Sequence, residues 1–281
     1  MTMTIQAIID LLCRFHPPIP EDPHGSDTIK CGDPTQECTG IAVTCFPSLE
    51  VIRRTAELGG NLIIAHEPTF YNHDEEKDFL ADNAVYQAKA KLLQETGIVI
   101  WRDHDHIHGG PPQKVPPERD MIFYGIMKTL GWEDYLVSSP TKPLFFQLPP
   151  TTVEALAQEL LDKLNLRGVR VVGDKTAPVE RVFLCEHVRG DREDNEKIVD
   201  MERGDIDLAL SFEVVDWTLC EYIRDSCMNG RPRAMLTFGH FNLEEAGMQY
   251  MAQHWLPELV GPEVPCWYVQ SGDSFDYLLR Q

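Results

Sequence analysis

The chain has 281 residues, 43% of them apolar and 25% charged, which suits an ordinary globule of one large or two medium units. Its formal net charge of -20 repels a phosphate backbone, so nucleic acid is a poor partner unless a local basic patch outweighs the bulk field. No run approaches the roughly 18 apolar residues of a membrane span, and no basic segment followed by an apolar one opens the sequence, so the expectation is a cytoplasmic protein with no membrane partner.

Residues 5–15 carry apolar side chains at Ile5, Ile8, Ile9, Leu12 and Phe15, the stripe of an amphipathic helix, with Thr4 placed to cap it. Residues 16–36 are dense in Pro, Gly, Asp and Ser and read as loop. A strand follows over 39–46. Ser48 then caps a helix whose stripe is Val51, Ile52, Thr55, Ala56 and Leu58, and Gly59-Gly60 ends it. Strand 62–65 comes next, so residues 39–65 form a βαβ unit, and its crossover predicts two parallel strands.

That second strand delivers His66 and Glu67 side by side and is stopped by Pro68. A helix is expected over 82–96, closed by Gly97, and then an apolar and therefore central strand over 98–101. It runs into Arg102, Asp103, His104, Asp105, His106, Ile107 and His108, a second polar cluster at a strand end. Residues 111–117 read as loop and 119–130 as helix. A lobe boundary is placed at 138–141, giving lobes over 1–140 and 141–281. The second lobe begins with a strand over 142–148 broken by Pro149-Pro150. A capped helix over 152–164 and strands over 169–172 and 181–185 follow. The charged stretch 189–203 reads as an exposed helix, 206–211 as a strand ending at Phe212-Glu213, and 217–224 as a helix. Strand 234–238 opens a third polar cluster at Gly239-His240, ahead of a helix over 243–255 with Glu244 in its first turn, and a final strand spans 264–269.

Three apolar strands thus end in His66-Glu67, in residues 102–108, and in His240 with Glu244 four residues on. Imidazoles mixed with carboxylates suit divalent Zn, Mn, Fe or Co, one or two ions per subunit. With a helix beginning near Asn242, His240 and Glu244 can point at one spot. Each cluster has a plainer reading: a strand-end histidine beside a capping carboxylate, a solvated loop, and a helix entry with an acidic first turn favoured by the dipole. Their recurrence after apolar strands favours a shared site.

The chain resembles the Nif-three-like dinuclear metal-centre family, often called GTP cyclohydrolase I type 2-like. The resemblance rests on residues 40–43 with the following helix, 57–68, 97–108, 151–174, 209–213 and 239–244, in the family's order. It implies an α/β fold: two α/β lobes with mixed sheets flanked by helices and a metal site in the cleft between them, the last part of the chain returning ligands to that cleft. Position by position it implies metal ligands at His66, Glu67, His108, His240 and Glu244. Glu67 stands where the family has a second histidine, and His108 where it has an aspartate. A glycine-rich turn of the family is replaced here by Cys185-Glu186-His187-Val188-Arg189-Gly190-Asp191.

The leading functional expectation is a metal-dependent, dinuclear hydrolase of a small nucleotide-like or phosphoester substrate, with His104 and Glu213 as proton-transfer residues; His73, Asp103 and His106 are further outer-sphere candidates. The resemblance implies ring-opening hydrolysis of a purine nucleotide and a homohexameric assembly. The alternative is a metal-binding regulatory or assembly protein without turnover.

Overall fold

The structure, a computed structural model, describes residues 3–19, 25–73, 76–109 and 120–279; the loop expected over 111–117 lies outside them. By contacts the chain divides into two units, Met1–Gly125 with Gly247–Ser271, and Ile126–Ala246 with Gly272–Gln281. The division falls inside a helix rather than at the polar stretch 138–141. The last strand also belongs with the first unit, because it pairs with a strand near the N-terminus.

In the first unit, α1 (Ile5–Phe15) starts at Thr4, whose hydroxyl accepts the Ala7 N–H, and buries Ile5, Ile8, Ile9, Leu12 and Phe15. Strands β2 (Ile41–Thr44), β3 (Leu62–Ala65) and β4 (Val99–Arg102) are buried at every position, as expected of parallel strands covered on both faces. Helix α2 (Leu49–Glu57), capped by Ser48, links β2 to β3, which pair in parallel with Ile41 opposite Leu62. Helix α3 (Ala84–Thr96) leads to β4; Asn83 caps its start, and Gly97 closes it with φ 66°, a left-handed conformation that costs glycine little.

Two elements differ from the reading of the sequence. Ile29–Cys31, expected as loop, is β1, an edge strand antiparallel to β4. The histidine-rich run after β4 forms a short helix, α4 (Asp105–Gly109). With β10 (Cys266–Tyr268) beside β2, the sheet order is β1-β4-β3-β2-β10. Helix α5 (Met121–Leu130) contains the division between units.

The second unit holds β5 (Phe145–Thr152), α6 (Val153–Leu164), β6 (Arg170–Gly173), β7 (Pro178–Val188), α7 (Glu193–Arg203), β8 (Leu208–Val214), α8 (Leu219–Met228) and β9 (Ala234–Thr237). Its sheet order is β5-β7-β8-β9-β6, with β7, β8 and β9 parallel and both edge strands antiparallel. Pro149 and Pro150 do not end β5. It lies at the sheet edge, where a missing N–H is tolerated, and its pairing with β7 is irregular between Gln147 and Thr151. The core gathers Phe183, Met201, Ala209, Leu219, Ile223 and Met235. Helix α9 (His240–Tyr250) follows β9, begins three residues earlier than the expected 243, and contains the second division between units; a π-helical turn over Met251–Trp255 and α10 (Leu256–Val260) complete the first unit's helices.

Candidate metal-binding groups

In the first unit β3 stops at Ala65, and its next residue, His66, is fully buried. Its Nδ1 donates to the backbone carbonyl of Asp103 at 3.0 Å. A carbonyl can only accept, so the proton stays on Nδ1 and the lone pair on Nε2. His104 and His108 lie four residues apart across the start of α4, which places them on one helix face. One donor atom from each of His66, His104 and His108 lies within 4.8 Å of the other two. The His66 and His104 rings stack at 4.7 Å between centroids.

The outer nitrogens of the other two rings are also fixed by oxygen. His104 Nδ1 donates to Asp105 at 2.7 Å and His108 Nδ1 to Asp120 at 2.8 Å. Asp120 in turn accepts the N–H groups of Ile122 and Phe123, capping α5. Carboxylates in this position hold a metal-ligating imidazole in one tautomer. Burial, with the nearby His66, lowers the His104 pKa to about 4, against the opposing pull of Asp105. His104 is therefore neutral at pH 7.

Glu67 is buried, with an oxygen 3.6 Å from the guanidinium of Arg102, itself fully buried. Arg102 also donates to the carbonyls of His66 and His73 and makes a 3.0 Å contact with His73 Nδ1. One side chain thereby pins three residues of the segment after β3.

The second unit carries its own group, His187, Glu213 and His240, again with donor atoms within 4.8 Å of one another. Glu213 accepts from His187 Nδ1 at 2.8 Å and from His240 Nδ1 at 3.0 Å. Burial favours its neutral form, but these hydrogen bonds and the imidazole charges outweigh burial and hold its pKa down at about 2. His240 Nε2 lies 3.0 Å from Glu244 across the first turn of α9, the i, i+4 meeting anticipated for this pair.

His187 was not anticipated as a member of any group. It follows a β-bulge at which the pairing of β7 with β8 shifts on both sides of Glu186, and Glu186 takes φ 60°. The bulge breaks strand alternation and re-aims His187 towards Glu213. The only signal in the sequence was the replacement of a glycine-rich turn in this stretch.

Two mixed sheets flanked by helices, each with an imidazole and carboxylate group at strand ends, define an α/β protein with candidate sites for divalent metal. Residues 3–106 match the Duf34/NIF3 (NGG1p interacting factor 3) family model. Solved structures of similar fold extend along nearly the whole chain. A Bacillus cereus protein related to NIF3 shares 14% identity, with 99% of each chain covered and a TM-score of 0.68. The Staphylococcus aureus hypothetical protein SA1388 shares 15%, with 99% of this chain and 100% of that one covered and a TM-score of 0.66. Reduced HcgD from Methanocaldococcus jannaschii shares 15%, with 98% and 99% covered and a TM-score of 0.60. At these identities the likeness establishes the fold. No curated protein sequence matches the chain.

Proposed function

We propose that the chain is a divalent-metal-dependent hydrolase of a small nucleotide-like or phosphoester substrate. The observation that carries this reading is the first unit's imidazole group, in which every outer nitrogen is tied to an oxygen. Mixed imidazole and carboxylate donors fit Zn, Mn, Fe or Co. His66, Glu67 and His108 would hold metal in the first unit, and His240 and Glu244 in the second. A divalent ion bound among such donors supplies Lewis acidity and brings the pKa of a coordinated water towards neutrality.

The protein's own side chains supply the rest. His104, anchored through Nδ1 on Asp105, is the proposed proton-transfer residue rather than a ligand, acting at its Nε2. Glu213, with its pKa near 2, is a weak base; its role is to fix the His240 ring so that Nε2 is presented towards Glu244. Arg102 offsets the charge of Glu67 and positions His66 through its carbonyl.

A panel of esters, phosphoesters and nucleotides assayed with Mn, Zn, Co and Fe tests the reading, beside elemental analysis of the purified protein. Turnover that His240→Ala abolishes supports it. Metal-loaded protein inert across the panel refutes the hydrolase and leaves the binding or assembly role. Among the described residues no helix is long and apolar enough to cross a membrane; a cytoplasmic homohexamer remains the proposal, checked by fractionation and by light scattering of the eluted protein.

A further inference from the structure

Helix α4 has a second face. His104 and His108 meet His66 on one side, whereas His106, two residues from each along the chain, turns to another, where it meets Asp103 from the turn before α4. On that other side, donor atoms of Asp27, Asp103 and His106 lie within 4.8 Å of one another. His16, from the end of α1, reaches the same place: its Nε2 is 3.2 Å from Asp103 Oδ2, and its ring centroid is 6.1 Å from that of His106. Three segments, at residue 16, residue 27 and residues 103–106, thus bring two carboxylates and two imidazoles together.

The hydrogen bonding around this group is uneven. Asp27 is well supplied: it accepts the N–H groups of His104, Asp105 and His106 and the Nδ1 of His106, the last at 2.6 Å. Asp103 is not. Its side chain is fully buried, and its Oδ1 has no hydrogen-bond partner among the described residues. The buried His16 has the same deficit at Nδ1. Burying an acceptor without a donor is costly, and more so for a charged group. A cation beside Asp103 removes that cost, and the imidazole of His106, oriented by Asp27, is the kind of ligand that accompanies a carboxylate at such an ion.

We infer that His16, Asp27, Asp103 and His106 form a separate site for a divalent cation of the Zn, Co, Mn or Fe class in the first unit. None of these residues belongs to the ligand set proposed for hydrolysis. The site is joined to that set through the backbone of residue 103, whose carbonyl holds His66 while its side chain turns to His16, and through Asp27, which accepts the N–H groups of His104 and Asp105. Loading this site would stiffen the turn between β4 and α4 and hold His66 in place without contacting substrate.

Equilibrium dialysis of the full chain against Co2+, read by elemental analysis and by the visible absorbance of bound Co2+, tests the inference. Asp103→Asn and His106→Gln are each expected to bind one ion per chain fewer than the unmodified protein at a Co2+ concentration that saturates the latter, or to bind it at least tenfold more weakly. His108→Ala should retain this ion. Thermal unfolding of the metal-free variants checks their fold; should Asp103→Asn fail to fold, His106→Gln, partly exposed, decides alone. Unmodified stoichiometry and spectrum in the folded variants overturn the inference. If His108→Ala binds as the unmodified chain does while His106→Gln loses one ion, the hydrolase ligand set fails and this site stands.

Discussion

The most direct test of the first unit's group is Asp120→Asn. Asp120 Oδ2 accepts from His108 Nδ1 at 2.8 Å, while Oδ1 accepts two N–H groups at the start of α5. An asparagine that keeps its oxygen on those N–H groups turns its NH2 towards His108. A donor then faces Nδ1, so the imidazole shifts its proton to Nε2, the nitrogen a metal needs. The helix cap survives, and the change is confined to the tautomer. Losing an oriented outer partner typically weakens metal affinity about 10- to 100-fold, or about 1.4–2.7 kcal/mol. His108 is about one-third exposed, with a side-chain accessibility of 29%, which places the expected loss nearer tenfold. Titration with Co2+ at pH 7 measures the affinity, and thermal unfolding of the metal-free protein should show little change. Affinity within twofold of the unmodified chain would refute the assignment of His108 as a ligand oriented through Asp120.

Arg102→Met removes a buried guanidinium from Glu67 and three hydrogen bonds from the His66 to His73 segment. Breaking such a buried pair costs about 3–5 kcal/mol, to be read from the urea midpoint; a loss under about 1 kcal/mol would show that the guanidinium does not hold the segment. Glu213 has its pKa lowered in the folded chain from 4.5 to about 2, so the unfolded chain takes up the proton first as pH falls. Its contribution to stability is complete above about pH 4.5 and is lost on descending through 2. Glu213→Gln should flatten that acid limb, and an unaltered limb would contradict the depressed pKa. Glu186→Gly relieves a left-handed conformation that costs a non-glycine residue about 1–2 kcal/mol, at the expense of the partly exposed ion pair with Lys142. A gain of about 1 kcal/mol in chemical unfolding is expected, and a net loss would mean the ion pair dominates.

Local signals account for the elements that were legible. Thr4, Ser48 and Thr152 each accept a backbone N–H at the position anticipated, because capping needs only a hydroxyl three residues ahead of a free donor. The apolar runs at 62–65 and 98–101 are buried throughout, as their composition requires. Elements defined by distant pairing were not legible. Ile29–Cys31 is a strand only because β4 lies beside it, and nothing in that proline- and glycine-rich neighbourhood signals a partner some 70 residues away. The proline pair in β5 signalled a break because edge or centre cannot be read from one strand alone. His16 and Asp103 meet across 87 positions, beyond the reach of any spacing rule.

The candidate groups show how the two exchanged positions are accommodated. Resemblance placed a glutamate at 67 where a histidine is usual, and a histidine at 108 where an aspartate is usual. Each exchange alters the local charge, and each has a neighbour of the opposite kind. The guanidinium of Arg102 lies beside Glu67, and the carboxylate of Asp120 lies beside His108. Arg102 is fully buried and Asp120 nearly so, so neither partner is an incidental surface charge. A carboxylate taken out of water is stable only beside a cation, whether guanidinium or metal ion. An imidazole serves as a ligand only when its other nitrogen is held. The exchanges therefore preserve the chemical requirements of a metal-binding group while moving the compensating charge one step outward. On this argument Arg102→Met and Asp120→Asn should perturb metal binding through Glu67 and His108 respectively, although neither replaced residue is itself a proposed ligand.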